Sequence, residues 1–138
     1  MLKLKIDFAF FLLVFIPLPF FLTAYFMVPS RNHESFSTLL TLVILYPIVE
    51  EIFFRGIVQS WIALRVKKKL SFLSYSNILT SIIFSLMHLF NHAPIWAIAS
   101  FVPSLVFGYS QERYKTLQAP VILHSYYNFG YFFVADTV

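Results

Sequence analysis

The sequence contains no cysteine, only three glycines and few charged residues. Without cysteine the chain can form neither a disulfide nor a thiolate metal site, and it has no thiol nucleophile. Charged residues make up 12% of the 138 residues, against roughly 25% in soluble domains. Apolar residues are abundant instead, since 59% are hydrophobic and 18 are phenylalanine. A chain this short cannot bury so much apolar surface in a water-soluble core, so the sequence predicts an integral membrane protein.

The net charge of +4 comes from basic residues that flank apolar segments. Such residues are typical of contacts with anionic lipid headgroups, so the bilayer is the expected partner and no nucleic acid is expected. The first apolar stretch continues to about Val28 without a small-residue cleavage site. This length favours a retained membrane helix over a cleaved signal peptide.

Polar or charged segments divide the chain into several apolar runs, with no repeat and no low-complexity linker. We therefore predict an all-α fold, a polytopic membrane bundle of about five transmembrane helices in a single domain, residues 1–138. The second run is longer than a bilayer requires, so we expect it to tilt, protrude or bend, with the bend at Pro47. Pro17 and Pro19 should kink the first helix. The predicted spans are approximately residues 8–28, 36–64, 76–91, 95–109 and 119–135.

The basic residues also predict an orientation, because lysine and arginine concentrate in cytoplasmic loops. With the N-terminus in the cytoplasm and five spans, the C-terminus lies outside. Only Arg31 then falls on the outer side, and Arg55 lies within a span. The basic residues on the cytoplasmic side are Lys3, Lys5, Arg65, Lys67, Lys68, Lys69, Arg113 and Lys115.

Three ionisable residues interrupt the second apolar run: Glu50, Glu51 and Arg55. Each would cost roughly 2.5–3.5 kcal/mol at bilayer depth, so such residues face the protein interior and usually have a function. Glu51 and Arg55 are four residues apart and lie on one helix face, which predicts an ion pair. Glu50 points about 100° away and lacks that partner. It is therefore the candidate for general acid or base chemistry.

Further polar residues lie on two other predicted spans. His88 is on the third, while His124 and Asn128 lie one helical turn apart on the fifth. With Glu50, these side chains can bind a water molecule and hold a carbonyl group, provided that the third helix begins near Ser76. Taken singly, His88 or Asn128 could equally be a hydrogen-bond partner between helices.

These residues form three short motifs that occur in one order. The segment "EEIFFR" contains Glu50, Glu51 and Arg55, "FSLMH" ends at His88, and "HSYYN" joins His124 to Asn128. They resemble the EExxxR, FxxxH and HxxxN motifs of the CPBP family of intramembrane proteases, which includes CAAX prenyl endopeptidases and bacteriocin-processing or Abi proteins. The resemblance covers about residues 36–133. The size of the chain resembles that of compact bacterial members, which implies the bacterial plasma membrane.

The resemblance implies hydrolysis of a peptide bond in a membrane-associated protein or peptide. Glu50 would activate water with His88, and the oxyanion would be stabilised by His124 and Asn128. Glu51 and Arg55 would support the site. The family has also been interpreted as zinc-dependent, in which case the ligands would be Glu50, His88 and His124. We favour the glutamate mechanism without a metal cofactor.

Two other functions remain compatible with the same residues. The first is a membrane binding or immunity protein of the Abi type without catalysis. The second is a small proton-coupled transporter subunit, in which glutamate and histidine relay protons. Transporters usually contain internal repeats with broken helices in matching halves, and the sequence has one predicted bend and no repeat. The intact set of motif residues favours the protease.

Overall fold

The structure is a computed structural model that describes residues 6–27 and 35–134. Most of these residues are helical, as predicted, and one small hairpin is present. The predicted orientation also rests on Lys3, Lys5 and Arg31, which lie outside the described residues. The helices are α1 (Phe8–Phe15), α2 (Leu18–Met27), α3 (Phe36–Arg65), α4 (Tyr75–His88), α5 (Pro94–Ala99), α6 (Phe101–Tyr114) and α7 (Gln118–Val134).

Helix α3 is continuous over 30 residues and carries the first motif. Within residues 6–27 and 35–134, it is the one helix whose length and apolar composition suffice to cross a membrane. Only 11% of its most apolar stretch is buried, whereas the core helix of a soluble protein would be mostly buried. The other described helices are shorter than a full span, so the count of five spans stays a prediction.

Two stretches of α3, Thr41–Leu45 and Ile52–Gln59, are wound as π-helix rather than α-helix. The first ends where the Tyr46 amide donates to the Thr41 carbonyl, five residues back. Pro47 follows immediately, and its ring would clash with a carbonyl in a regular α-helix. The wider turn lets the helix continue through Pro47. Such π turns are rare and frequently occur at functional sites.

The other prolines within residues 6–27 and 35–134 lie near helix starts. The first predicted span is divided at Ile16 and Pro17 into α1 and α2, in line with the expected kink. The fourth predicted span, residues 95–109, starts close to α5 but is interrupted after Ala99, and α6 continues beyond its predicted end to Tyr114. Pro103 explains the break, because it lacks an amide hydrogen and fits only in the first turn of a helix.

The chain between α3 and α4 forms a small β-hairpin with a two-residue turn, instead of a plain basic loop. Strands β1 (Lys69–Leu70) and β2 (Leu73–Ser74) pair antiparallel. Ser71 has φ of 58°, and a positive φ at the first turn residue is what a type II′ turn requires. Ser74 then caps α4 by accepting from the Asn77 amide, two residues before the cap expected near Ser76.

The buried core lies where α6 and α7 meet, with α1 and α2 packed against α7. Close contact is possible because Gly130 leaves room for the ring of Phe21, whose nearest atom would be 2.2 Å from an added Cβ. The Tyr127 hydroxyl donates to the Leu13 carbonyl at 2.6 Å. These contacts fix α7, which carries the third motif, against the N-terminal helices.

Candidate active site

The predicted ion pair of the first motif is present. Glu51 Oε2 lies 3.1 Å from Arg55 Nε, and both side chains are fully buried. Arg55 also donates through Nη2 to Ser104 on α6, at 3.0 Å to its carbonyl and 2.9 Å to its hydroxyl. Because a buried charge is tolerated only when paired and hydrogen-bonded, Arg55 ties α3 firmly to α6.

The second oxygen of Glu51 reaches the third motif. Glu51 Oε1 lies 2.8 Å from Nδ1 of His124. A carboxylate only accepts, so Nδ1 donates this bond, and Nε2 lies on the opposite side of the ring. The face of the imidazole stacks on Phe107, with ring centroids 4.6 Å apart. The orientation of His124 is thus fixed by a carboxylate at one edge and an aromatic ring at one face.

Glu50 lies on the other side of this imidazole. Its Oε2 is 3.6 Å from His124 Nε2, and its side chain is 30% exposed, against 5% for His124. As the sequence predicts, Glu50 does not share the Glu51–Arg55 pair. The separation is longer than a direct hydrogen bond, and contacts of this length are commonly bridged by water.

Phe84, the first residue of the second motif, connects the two histidines. Its ring is 2% exposed, and its centroid lies 4.4 Å from that of His88 and 5.9 Å from that of His124. His88 Nδ1 lies 2.9 Å from the Phe84 carbonyl. This carbonyl can only accept, so the His88 Nδ1 donates, and in the neutral ring Nε2 keeps an available lone pair. The structure therefore brings the second motif beside the first and third.

The side-chain amide of Asn128 already has a hydrogen-bond partner on another helix. Its Nδ2 donates to the Leu42 carbonyl at 2.9 Å, within the first π-helical stretch of α3. This contact joins α7 to α3, which is the interhelical alternative considered for Asn128 alone. The amide nitrogen has two hydrogens, so one remains for a second acceptor.

The described residues do not form a ready metal centre. No group of three histidine, aspartate or glutamate side chains in this part of the chain is placed to hold a metal ion. His124 Nδ1 is taken by Glu51 and His88 Nδ1 by the Phe84 carbonyl. These bonds leave both Nε2 atoms open, as in metal-binding histidines, but Glu50, His88 and His124 are not placed as such a group, and we derive no step through a metal.

Sequence reasoning missed a polar row that continues from the site. Gln59, one turn beyond Arg55, is 1% exposed, and its Nε2 donates to Glu112 Oε1 at 2.8 Å and to the Gly108 carbonyl at 3.2 Å. The four-residue spacing from Glu51 through Arg55 was the available signal. Its partners on α6 could not be identified because the predicted fourth span ends at residue 109, before Glu112.

Residues Gly108 to Ser110 form a Gly-x-Ser tripeptide, a pattern that can mark a serine nucleophile. Here the Ser110 hydroxyl is buried and donates to the Phe107 carbonyl at 2.7 Å. A hydroxyl that donates to its own helix backbone lacks the adjacent base that a serine nucleophile requires. Within the described part of the chain, the candidate chemistry lies with the histidines and glutamates.

The family described as "Type II CAAX prenyl endopeptidase Rce1-like" matches residues 32–130. The chain belongs to this family. It is therefore a membrane protein of a protease family, as the motif resemblance implied, and the match spans all three motifs from Glu50 to Asn128. No curated protein and no solved structure matches the chain.

Proposed function

We propose that this CAAX endopeptidase family member hydrolyses a peptide bond within the membrane, using a water molecule activated by Glu50. The observation that carries the proposal is the relation of Glu50 to His124. Glu50 Oε2 faces Nε2 of an imidazole whose Nδ1 is already held by Glu51. A partly exposed carboxylate beside an oriented imidazole is an arrangement that can take a proton and stabilise negative charge.

The hydrolysis proceeds in two steps. Glu50 takes one proton from water while the oxygen forms a bond to the carbonyl carbon of the substrate. The carbonyl oxygen then carries the negative charge of a tetrahedral intermediate. In the second step the C–N bond breaks, and Glu50 returns its proton to the departing amine. No net charge or proton is gained, so the site is ready for the next substrate after product release.

Each of the other motif residues has its own role in the proposed reaction. His88 keeps an available Nε2 lone pair, because its Nδ1 donates to Phe84, and it helps to orient the attacking water. His124 and the second Asn128 hydrogen stabilise the oxyanion. Removing one such donor from an enzyme typically costs about 10²–10³ in kcat. Glu51 and Arg55 hold His124 and the helices in place without touching substrate.

The substrate is a membrane-associated protein or peptide, and the family description favours a prenylated C-terminal tail. The family match favours this protease over the immunity protein and the transporter subunit. Glu50 is one-third exposed at the surface of a helix that is mostly unburied. A peptide anchored in the bilayer by its lipid group could thus approach Glu50 laterally from the membrane.

For the whole chain we propose a single domain of five spans in a bacterial plasma membrane, with the N-terminus in the cytoplasm. Two contacts support the proposal that the basic loops lie together at one end of the bundle. Asp7 pairs with Arg113, and Ser74, which follows the lysines of the hairpin, bonds Glu112. The bonds Arg55–Ser104 and Gln59–Gly108 share one sequence offset, so α3 and α6 run parallel, as second and fourth spans must.

Purified protein with a Glu50→Gln change tests the proposal directly. Wild type should release the tail from a prenylated CAAX peptide in lipid nanodiscs, and Glu50→Gln should remove that activity while its thermal unfolding stays near wild type. A zinc chelator should change nothing. His88→Gln should lower kcat, whereas His92→Gln, a matched change one turn further on, should not.

Two results would contradict the proposal. If the chelator abolished cleavage and zinc restored it, the metal-dependent mechanism would replace the glutamate one. If folded wild type cleaved neither prenylated nor unprenylated membrane-anchored peptides, the immunity role would become the better explanation.

A further inference from the structure

The π-helical stretch Ile52–Gln59 separates two groups of polar contacts on α3. Before it lie Glu50 and Glu51, which face His124. At its end lies Gln59, which bonds to α6. A π-helix makes fewer turns than an α-helix of the same length. If this stretch rewound to α-helix, the residues on its two sides would rotate relative to each other.

Because π-helix is rare, we expect contacts with other helices to hold Ile52–Gln59 in its π winding. Just after the stretch, the Ser60 hydroxyl donates to the Arg55 carbonyl, five residues back, at 2.9 Å. It joins two residues of the same helix. It is local and cannot by itself fix how α3 is rotated about its axis, so contacts with other helices must do so.

Glu112 supplies such a contact from α6. Its Oε1 accepts from Gln59 Nε2 at 2.8 Å and from the Ser76 hydroxyl at 3.3 Å, and it also accepts from the Ser74 hydroxyl. Ser74 is the cap of α4. One carboxylate oxygen thus joins the end of the π stretch to the start of the helix that carries His88.

The space around Gln59 allows little displacement. A Cβ added to Gly108 would lie 2.8 Å from Gln59 Oε1 and 1.9 Å from Asn77 Oδ1. Asn77 itself donates to the Leu105 carbonyl at 2.9 Å. The Gln59 amide is therefore enclosed between two helices, and its nitrogen finds both of its acceptors on α6.

From these contacts we propose that Gln59 and Glu112 are positioning residues: their hydrogen bond holds Ile52–Gln59 in its π winding and so keeps Glu50 and Glu51 aligned with His124. Neither residue touches the substrate. The inference rests on the proposed function for its kinetic consequence, but its structural consequence stands without it. Loss of the bond lets α3 rewind, and the glutamates turn away from the imidazole.

Kinetics of folded protein provide the first test. Glu112→Leu should lower kcat by about tenfold to a hundredfold with little change in KM, because small misplacement of catalytic groups has this effect. Glu112→Gln keeps an acceptor oxygen of the same reach and should restore most of kcat. Gln59→Leu should match Glu112→Leu, and the double variant should be no slower than either. Gln111→Leu is the matched control on the neighbouring position of α6.

A spectroscopic readout separates this inference from the proposed function. With ring-labelled histidine, the NMR signal of His124 should shift in Gln59→Leu and Glu112→Leu but not in Gln111→Leu, whether or not any peptide is cleaved. An unshifted His124 signal, or losses in kcat that multiply in the double variant, would overturn the positioning role. Shifted signals in a protein that cleaves nothing would retain it and refute only the protease.

Discussion

Glu51 Oε1 and His124 Nδ1 lie 2.8 Å apart although 73 residues separate them in the chain. The same carboxylate pairs through Oε2 with Arg55. Glu51 is therefore the link between the first and third motifs, while Glu50 beside it remains partly exposed. Two adjacent glutamates thus occupy different environments, which gives one a structural task and leaves the other for chemistry.

This difference predicts opposite effects of the same substitution. Glu51→Gln should destabilise the protein by about 3–5 kcal/mol, because removing one partner leaves the buried Arg55 charge uncompensated. Glu50→Gln should leave the stability near wild type. Reversible unfolding in mixed micelles measures both. Equal destabilisation by the two variants would contradict the assignment.

A double substitution tests whether the pair acts as a unit. Arg55→Met alone should also destabilise strongly, since it leaves the Glu51 carboxylate with only His124. Combining Arg55→Met with Glu51→Gln removes both charges, so the double variant should lose less stability than the sum of the single losses. Additive losses would show that Glu51 and Arg55 contribute independently.

The glycines of α3 and α6 predict a second contrast. Gly108→Ala places a Cβ 1.9 Å from Asn77 Oδ1, and overpacking of this kind costs about 1–3 kcal/mol. At Gly56 the nearest atom to an added Cβ is Leu117 Cδ1 at 3.4 Å. Gly56→Ala should therefore be neutral or slightly stabilising. Thermal unfolding of both variants in one detergent measures the difference, and a harmless Gly108→Ala would refute the close packing.

The sequence was sufficient for the parts of the site that depend on local spacing. The four-residue interval predicted the Glu51–Arg55 pair, and it left Glu50 on another face, as the structure has it. These predictions succeed because helix periodicity fixes which side chains share a face. The interhelical bond of Asn128 was one of two alternatives, since spacing alone cannot tell which acceptor an amide finds.

Other features depend on contacts between distant segments. The π turns of α3 were not predicted, and the second of them ends at Gln59, whose partner Glu112 is 53 residues away in the chain. The continuation of α6 through Glu112 was missed for a related reason. Its charged residues were typical of a loop, yet three donors from other elements stabilise that carboxylate inside the bundle.

Asp7 predicts a pH dependence at the basic end of the bundle. Hydrogen bonds from Tyr114, Arg113 and the Phe10 amide lower the pKa of Asp7 from 3.8 to about 2. A depressed pKa in the folded state means that the contribution to stability is present above pH 3.8 and is lost as pH falls toward 2. Asp7→Asn should thus lower the unfolding midpoint at pH 6, and the difference from wild type should vanish near pH 2. A constant difference across this range would refute the interaction.

Tyr127 predicts how firmly the N-terminal helices are held. Its hydroxyl donates to the Leu13 carbonyl at 2.6 Å, and such bonds between membrane helices contribute about 0.6 kcal/mol on average, up to about 1.7. Tyr127→Phe keeps the ring that packs on Phe107 and removes only this bond. Because α1 contacts α7 over few residues, the loss should increase proteolysis near α1 while cleavage activity changes little. Tyr126→Phe removes the hydroxyl of the adjacent tyrosine and is the matched control. Equal proteolysis of the two variants would show that apolar packing alone, without the Tyr127 bond, holds the N-terminal helices in place.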